Sequence, residues 1–155
     1  DQNELVVKLV SKYGNLKFTE FDIPMAYEGK SEIKAIILGA DPTHIVGDCP
    51  RKIGKVFGLE KAKTQLIAEY KQESLTNSLT LENIFVQNVC RNYFNRETSK
   101  NKKWKEIATN YWIPLLKEEL DSKFEVRVSI LMTTQFILWA ALEGQRMKVK
   151  AKTIY

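Results

Sequence analysis

The sequence predicts an α/β fold, in which a mostly parallel sheet is covered by helices. Short apolar runs alternate along the chain with longer segments of helical periodicity. The first of these runs, at 35–38, is apolar at every position, which is typical of a strand buried on both faces. The chain has 155 residues, 44% hydrophobic and 28% charged, and this size and composition suit one domain spanning 1–155.

The amino-terminal half supplies one strand and two helices. Apolar residues at helical spacing before a glycine predict a helix over 3–13. Residues 15–31 are predicted to be loop, and 35–38 the first strand. The stretch 39–58 is rich in glycine and proline, so we expect no regular element there. A loop of that length indicates a functional role. A second helix is predicted at 59–72.

A long amphipathic helix is predicted over 102–120, with Thr98 or Ser99 as possible caps and a kink at Pro114. The second strand is predicted at 82–90, where β-branched and aromatic residues cluster. The remaining predicted elements are a strand at 125–132, a helix at 134–142 and a fourth strand at 147–155.

Composition narrows the classes of partner and location. Twenty-four Lys and Arg against nineteen Asp and Glu give a net charge of +5, which favours acidic partners such as nucleic acid. The two cysteines and single histidine match no metal framework, so we expect no metal and no cofactor. No apolar run reaches the roughly 18 residues of a membrane span, and no signal-peptide pattern opens the chain. We expect a cytoplasmic or nucleoid-associated protein that is neither secreted nor membrane-bound.

Two polar segments follow predicted strands directly: "GADPTH" after the first and "QNVCRN" around the end of the second. In parallel sheets, ligands bind beyond the carboxyl ends of the strands, so these segments predict a site. Asp41 could orient a water or steady a cation, or simply form an Asx-turn. His44 could donate a hydrogen bond or pack in the loop. Asn88 could form hydrogen bonds with the amide-like edge of a ligand, or it could simply be a turn residue that ends the strand.

Two further features allow two interpretations each. Phe57 could form the flat wall of a pocket that stacks a planar ring, or it could pack into the core. The basic run at 100–105 could face phosphates, or it could be a solvated helix start.

These motifs together resemble the uracil-DNA glycosylase superfamily. The family's first strand ends in Gly-Gln-Asp-Pro-Tyr-His, and here residues 39–44 read Gly-Ala-Asp-Pro-Thr-His. Phe57 lies about where the family's stacking phenylalanine stands, and Asn88 matches its base-binding asparagine. "SKNKKW", from Ser99, is similar to the family's Ser-x-x-x-x-Gly-Trp, with Lys103 in place of the glycine. The resemblance covers residues 33–155.

The resemblance implies a three-layer α/β/α fold around a central four-stranded, mostly parallel sheet. It also implies a monomeric, monofunctional hydrolase that excises uracil or a related damaged base from DNA, single- or double-stranded, in base-excision repair. Asp41 and His44 would be catalytic, with His44 positioning the loop or water. The expected base-binding residues are Gly39, Ala40, Phe57 and Asn88, and the expected phosphate contacts are Ser99, Lys100, Lys102 and Lys103.

Several departures from the family pattern keep other hypotheses open. Thr43 replaces the tyrosine that guards the family's pocket against thymine, and Ala40 replaces a glutamine that helps to seat uracil. The family's last motif, His-Pro-Ser-Pro, would follow the fourth strand, where this sequence reaches Tyr155. A noncatalytic member that binds nucleic acid or protein is therefore one alternative. An unrelated α/β hydrolase using Asp41 and His44 is another, and it predicts Asn88 and Phe57 far from Asp41.

Overall fold

A computed structural model describes residues 2–13, 23–43, 45–46, 49–50, 52–59, 79–124, 128–135, 137, 140 and 151–153. The strands are β1 (Tyr27–Glu28), β2 (Ala35–Gly39), β3 (Ile45–Val46), β4 (Cys49–Pro50), β5 (Ile84–Asn88), β6 (Ser129–Met132) and β7 (Ala151–Thr153). The helices are α1 (Gln2–Lys12), α2 (Trp104–Ile107) and α3 (Ile113–Lys123). Short 3₁₀ helices span Val56–Gly58, Leu81–Asn83 and Thr98–Lys100.

The main sheet has five strands in the order β1-β5-β2-β6-β7. The strands β5, β2, β6 and β7 run parallel, and β1 pairs antiparallel with β5 at one edge. The α/β class and the mostly parallel sheet are therefore confirmed, but the sheet has five strands instead of the expected four, because β1 adds to its edge. β2 lies in the middle because its apolar residues are covered on both faces.

Side chains alternate between the two faces of the sheet, as strand geometry requires. Ile36 and Leu38 of β2 pack with Phe85 against α1 and the helical residues 104–123. On the opposite face, the neighbouring strand residues pack with Val56, Leu59, Leu79 and Leu81. Each large apolar side chain buried this way stabilises the fold by about 1.5–3 kcal/mol. The helix predicted at 59–72 for this part of the chain lies outside the described residues beyond Leu59.

The long predicted helix is present but irregular. A π-helical segment, Ala108–Trp112, joins α2 to α3. Pro114 stands in the first turn of α3, directly after the π-helical segment, where the pattern of helical hydrogen bonds changes. The irregularity that the structure shows is this π-helical segment before Pro114, which the sequence did not predict. Trp112 is fully buried, and its indole Nε1 donates to Asn92 Oδ1 at 2.8 Å.

Three sequence predictions are corrected. Residues 15–31 contain the edge strand β1, and 39–58 contain the antiparallel pair β3–β4, which was expected to be irregular. These strands have two residues each, so no periodicity could reveal them. Neither Thr98 nor Ser99 caps the long helix: α2 has Lys103 at its N-cap, and Asn101 Oδ1 accepts the Lys103 amide.

The other elements agree with prediction where they are described. The strand predicted at 125–132 is β6, the helix at 134–142 is helical at residues 135, 137 and 140, and β7 lies within 147–155. The α1 helix matches the prediction over 3–13 to within one residue.

Gly29 holds β1 against the segment that precedes β5. A Cβ on Gly29 would lie 2.3 Å from Glu82 O and 2.7 Å from Leu81 O, and both are backbone atoms. We therefore expect Gly29→Ala to destabilise the protein by about 1–3 kcal/mol, because this backbone must shift. Lys30→Ala is the matched control, because Lys30 is the exposed neighbour of Gly29 and its truncation adds no atom to this backbone contact. Urea denaturation gives the free energy of unfolding of both variants. An equal loss of stability in the two would contradict the close approach at Gly29.

Candidate functional site

The candidate site lies at the carboxyl ends of β2 and β5. Gly39 and Asn88, the last residues of the two strands, are register partners. The ladder continues beyond them, because the Val89 amide donates to Gly39 O at 2.8 Å and the Cys90 amide to Ala40 O at 2.9 Å. The two loops that leave the sheet here are therefore held side by side.

The Asn88 amide is buried and makes no hydrogen bond within the part of the chain that the structure describes. Asn88 is 1% exposed, and neither Oδ1 nor Nδ2 has a partner among those residues. A buried polar group left unpaired costs about 1–3 kcal/mol. An amide that keeps both a donor and an acceptor unpaired at a strand end is suited to bind the edge of a ligand.

Gly39 and Phe57 stand directly against this amide. A Cβ on Gly39 would lie 2.3 Å from Asn88 Oδ1 and 2.7 Å from Phe57 Cε1, so only glycine fits. Three predicted base-binding residues, Gly39, Phe57 and Asn88, thus come together. Ala40, the fourth, packs its side chain on the core of the opposite sheet face from Phe57.

Phe57 is held in a strained conformation. Its φ of 58° and ψ of 15° are left-handed, a region that costs a residue with a side chain about 1–2 kcal/mol. The flanking backbone is tied down, with the Val56 amide donating to Met25 O and the Gly58 amide to Lys55 O, each at 2.9 Å. Such strain clusters at functional sites, and here it fixes the ring against Gly39.

Asp41 lies two residues beyond Gly39 and accepts a hydrogen bond on each carboxylate oxygen. The Thr43 amide donates to Oδ1 at 2.9 Å, and the Thr98 hydroxyl donates to Oδ2 at 2.5 Å. Burial raises the pKa of Asp41 above its ordinary value, although Thr98, Thr43 and the nearby Trp104 indole oppose that rise. Each carboxylate oxygen has a second lone pair, so the group retains the capacity to hold a water.

Cys90 faces Asp41 from the end of β5. Its thiol is fully buried, and burial, with the charge of Asp41 in addition, raises its pKa well above the ordinary value. The thiol therefore stays protonated and is no nucleophile. Thr43 also fixes this region, since its Oγ1 accepts the Phe94 amide at 2.7 Å.

The predicted phosphate contacts lie on the segment that carries Thr98. Ser99, Lys100, Lys102 and Lys103 are exposed. Lys100 pairs with Glu97 and Lys103 with Glu106, each at 2.8 Å. Exposed pairs of this kind contribute about 0–1 kcal/mol, so a phosphate can replace them at small cost. His44, the other predicted catalytic residue, lies outside the described residues.

Sequence reasoning did not find the role of Thr98. A threonine just before a helix is typical of a cap, and nothing in the sequence distinguishes it from a residue that bonds a distant carboxylate. Asn88 and Phe57 were found because the strand-end rule and the residue types indicated them.

A separate cleft of about 700 Å³ lies elsewhere, between the start of α1, residues 23–26 and Glu119. Gln87 and Arg91 line it, and Arg91 Nη2 donates to Glu119 Oε2 at 2.5 Å. None of Gly39, Asp41, Phe57 and Asn88 contributes to this cleft.

Searches against family models, curated proteins and solved structures find no match to the chain. Within the described ranges, no cluster of three or more His, Cys, Asp or Glu could hold a metal ion. The described helices also include none of the length and apolarity that crossing a bilayer requires.

We expect Asp41→Asn to stabilise the protein at pH 7. Because burial raises the pKa of Asp41 in the folded state, its charged form is disfavoured there, and stability falls as the pH rises from the unfolded value of about 3.9 through the folded value. The neutral amide escapes this penalty. Each 1 kcal/mol gained would raise Tm by about 2–4 °C for a chain of this size.

Thermal unfolding at pH 7 and pH 3 measures this effect, and the difference from wild type should shrink at the lower pH. Asp121→Asn is the control, because Asp121 is exposed and pairs only with Lys117 on the same helix. A lower Tm for Asp41→Asn at pH 7 would mean that the hydrogen bonds to the carboxylate outweigh its burial.

Proposed function

We propose that this protein is a DNA glycosylase similar to the uracil-DNA glycosylase superfamily, with its three-layer α/β/α fold. The reaction is hydrolysis of the N-glycosidic bond of uracil or a related damaged base. One observation carries the proposal: the unpartnered Asn88 amide stands against Gly39 and the Phe57 ring, at the strand end that leads into Asp41.

The base would enter this cluster out of the duplex. An enzyme that acts on a base must first extrude it, because the glycosidic bond is inaccessible in the stacked helix. The Phe57 ring would stack on the extruded base, and the Asn88 amide would pair its donor and acceptor with the base edge. Gly39 would leave room for the base, and backbone amides of the loop that begins at Ala40 would hold a carbonyl oxygen. Binding would then satisfy the polar atoms that are unpaired in the free protein.

Asp41 would act on the sugar side of the bond. As the bond breaks, the sugar gains oxocarbenium character and the base leaves as an anion. An ionised carboxylate stabilises that positive charge and orients the attacking water. His44 would position the loop or the water. Because Asp41 must be ionised, activity should fall as the pH drops through its raised pKa.

DNA would be held through its phosphates. The chain has a net charge of +5, and the exposed residues Ser99, Lys100, Lys102 and Lys103 adjoin Asp41 through Thr98. This proposal places the protein with DNA, in the cytoplasm or on the nucleoid, as a monomer.

One observation favours a second function, a noncatalytic module of the same fold that binds nucleic acid or protein. Both Asp41 oxygens already accept internal hydrogen bonds, and burial disfavours the charge. A carboxylate can be held in this way for purely structural reasons. The third hypothesis, an unrelated hydrolase, predicts Asn88 and Phe57 far from Asp41, and their approach to Gly39, two residues before Asp41 in the chain, does not favour it.

The test is cleavage of a labelled single-stranded oligonucleotide with one uracil, followed by alkali to reveal abasic sites. The same assay is then repeated with oligonucleotides that carry other damaged bases. Asp41→Asn should lose about 10²–10⁴-fold in rate, as expected when a general base is removed. Asp121→Asn is the matched control and should retain wild-type activity. No cleavage of any base by the wild-type protein, together with retained oligonucleotide binding, would favour the noncatalytic module.

Asn88→Ala separates binding from folding. Removing an amide that pairs with the base should lower kcat/KM by about 10–100-fold, equivalent to about 1–3 kcal/mol. The protein should be no less stable than wild type by more than about 1 kcal/mol, because the variant loses no hydrogen bond to a described residue, and relief of the unpaired amide offsets the small cavity left behind. A large loss of stability with unchanged kcat/KM would show a structural asparagine instead.

Salt dependence tests the phosphate contacts. Oligonucleotide binding should weaken with salt, by about 0.7 in the slope of log K against log [salt] for each single-strand phosphate contacted. Lys102→Gln should remove about one such contact. Lys34→Gln is the control, since Lys34 is exposed just before β2, at the opposite end of the strand from Gly39. Equal slopes for wild type and Lys102→Gln would place the DNA elsewhere.

A further inference from the structure

We propose that Thr98 is a positioning residue, which holds the Asp41 carboxylate in a fixed orientation and favours its ionised form for the reaction proposed above. The inference rests on that proposed function for its catalytic consequence. Its basis is the 2.5 Å hydrogen bond from the Thr98 hydroxyl to Asp41 Oδ2, which joins residues 57 positions apart in the chain.

The bond fixes the rotation of the carboxylate. Thr43 donates its amide to Oδ1, and Thr98 donates its hydroxyl to the other oxygen, Oδ2. Two donors on different oxygens leave the group no free rotation about its Cβ–Cγ bond. The Thr43 amide cannot be removed by substitution, whereas the Thr98 hydroxyl can, and Thr98 is the first of the three side chains, with Thr43 and Trp104, that favour the charged carboxylate.

Thr98 is itself held firmly. It is the first residue of the 3₁₀ helix Thr98–Lys100, and its carbonyl accepts the Asn101 amide at 3.1 Å. Asn101 O in turn accepts the Trp104 amide at 3.0 Å, and Trp104 is 2% exposed in the core. A β-branched side chain also has few rotamers. The Thr98 hydroxyl therefore reaches Asp41 from a segment that the buried Trp104 anchors in the core.

Because the groups that face Asp41 are neutral, the Thr98 hydrogen bond matters for the ionisation of its carboxylate. The titratable group that faces the carboxylate from the end of β5 is Cys90, which stays a neutral thiol, and the Trp104 indole faces it from α2. Asp41's own loop contributes the Thr43 amide. No described cation pairs with the carboxylate, so neutral hydrogen-bond donors must keep it ionised against burial. A hydrogen bond to a charged group is stronger than one between neutral groups, so losing Thr98 would matter.

The test compares wild type with Thr98→Val, which keeps the shape and removes the donor, and Thr98→Ser, which keeps the donor. Thr109→Val is the matched control, because Thr109 is also partly buried and its hydroxyl makes a long bond of 3.5 Å to Ala140 O, away from Asp41. Two quantities are measured: the Asp41 carboxyl titration by ¹³C NMR, and the pH profile of kcat and KM on the uracil oligonucleotide.

Thr98→Val should raise the pKa of Asp41, because the charged form loses a donor. The acidic limb of the kcat profile should move to higher pH, and kcat should fall about tenfold with little change in KM. Thr98→Ser and Thr109→Val should follow wild type in both measurements. If Thr98→Val does not fold, Thr98→Ala replaces it.

An unchanged Asp41 titration in Thr98→Val would overturn the inference, whatever the activity. Loss of stability with unmoved titration and pH profile would mean that Thr98 is only structural. If the wild-type protein cleaves no base, the glycosylase proposal fails, while the NMR titration still decides whether Thr98 controls the Asp41 carboxylate.

Discussion

The register between β2 and β5 is the constraint on which the rest of this structure depends. Five residue pairs align the strands, from Ala35 with Ile84 to Gly39 with Asn88. A slip of one residue would turn every side chain to the opposite face of the sheet. Both strands are buried on both faces, so a slip would disrupt both halves of the core and separate Asn88 from Gly39. The same register therefore specifies the core and assembles the site.

Three features of the candidate site destabilise the folded protein. Phe57 is in a left-handed conformation, the Asn88 amide is unpaired, and burial disfavours the Asp41 charge. Together they cost several kcal/mol, a sizeable part of the 5–15 kcal/mol by which a domain is usually stable. The apolar side chains buried against both sheet faces must offset this. Residues that destabilise the free protein and converge on one place are expected where a ligand supplies the missing contacts.

Much of the fold and part of the site could be predicted from particular residues. A continuous apolar run located β2, clustered β-branched and aromatic residues located β5, and the strand-end rule indicated Asn88. The resemblance to the glycosylase superfamily grouped Asn88 with Gly39 and Phe57. The edge strand β1, the β3–β4 pair and the π-helical segment were not predicted. Two-residue strands are too short to show a period, and a π turn depends on how the helix packs. The bond between Thr98 and Asp41 was missed because local patterns describe neighbours only.

The sequence by itself determined the α/β class, the mostly parallel sheet and the residues that stand at its strand ends, because these follow from local periodicity and from the short reach of backbone hydrogen bonds. Only the tertiary structure decided which of those residues meet. Gly39 faces Asn88 and Phe57 because three separate segments pack at one edge. Thr98 reaches Asp41 because Trp104, buried in the core, anchors the segment beside β2. Contacts between distant residues depend on the packing of whole elements, which no stretch of sequence encodes alone.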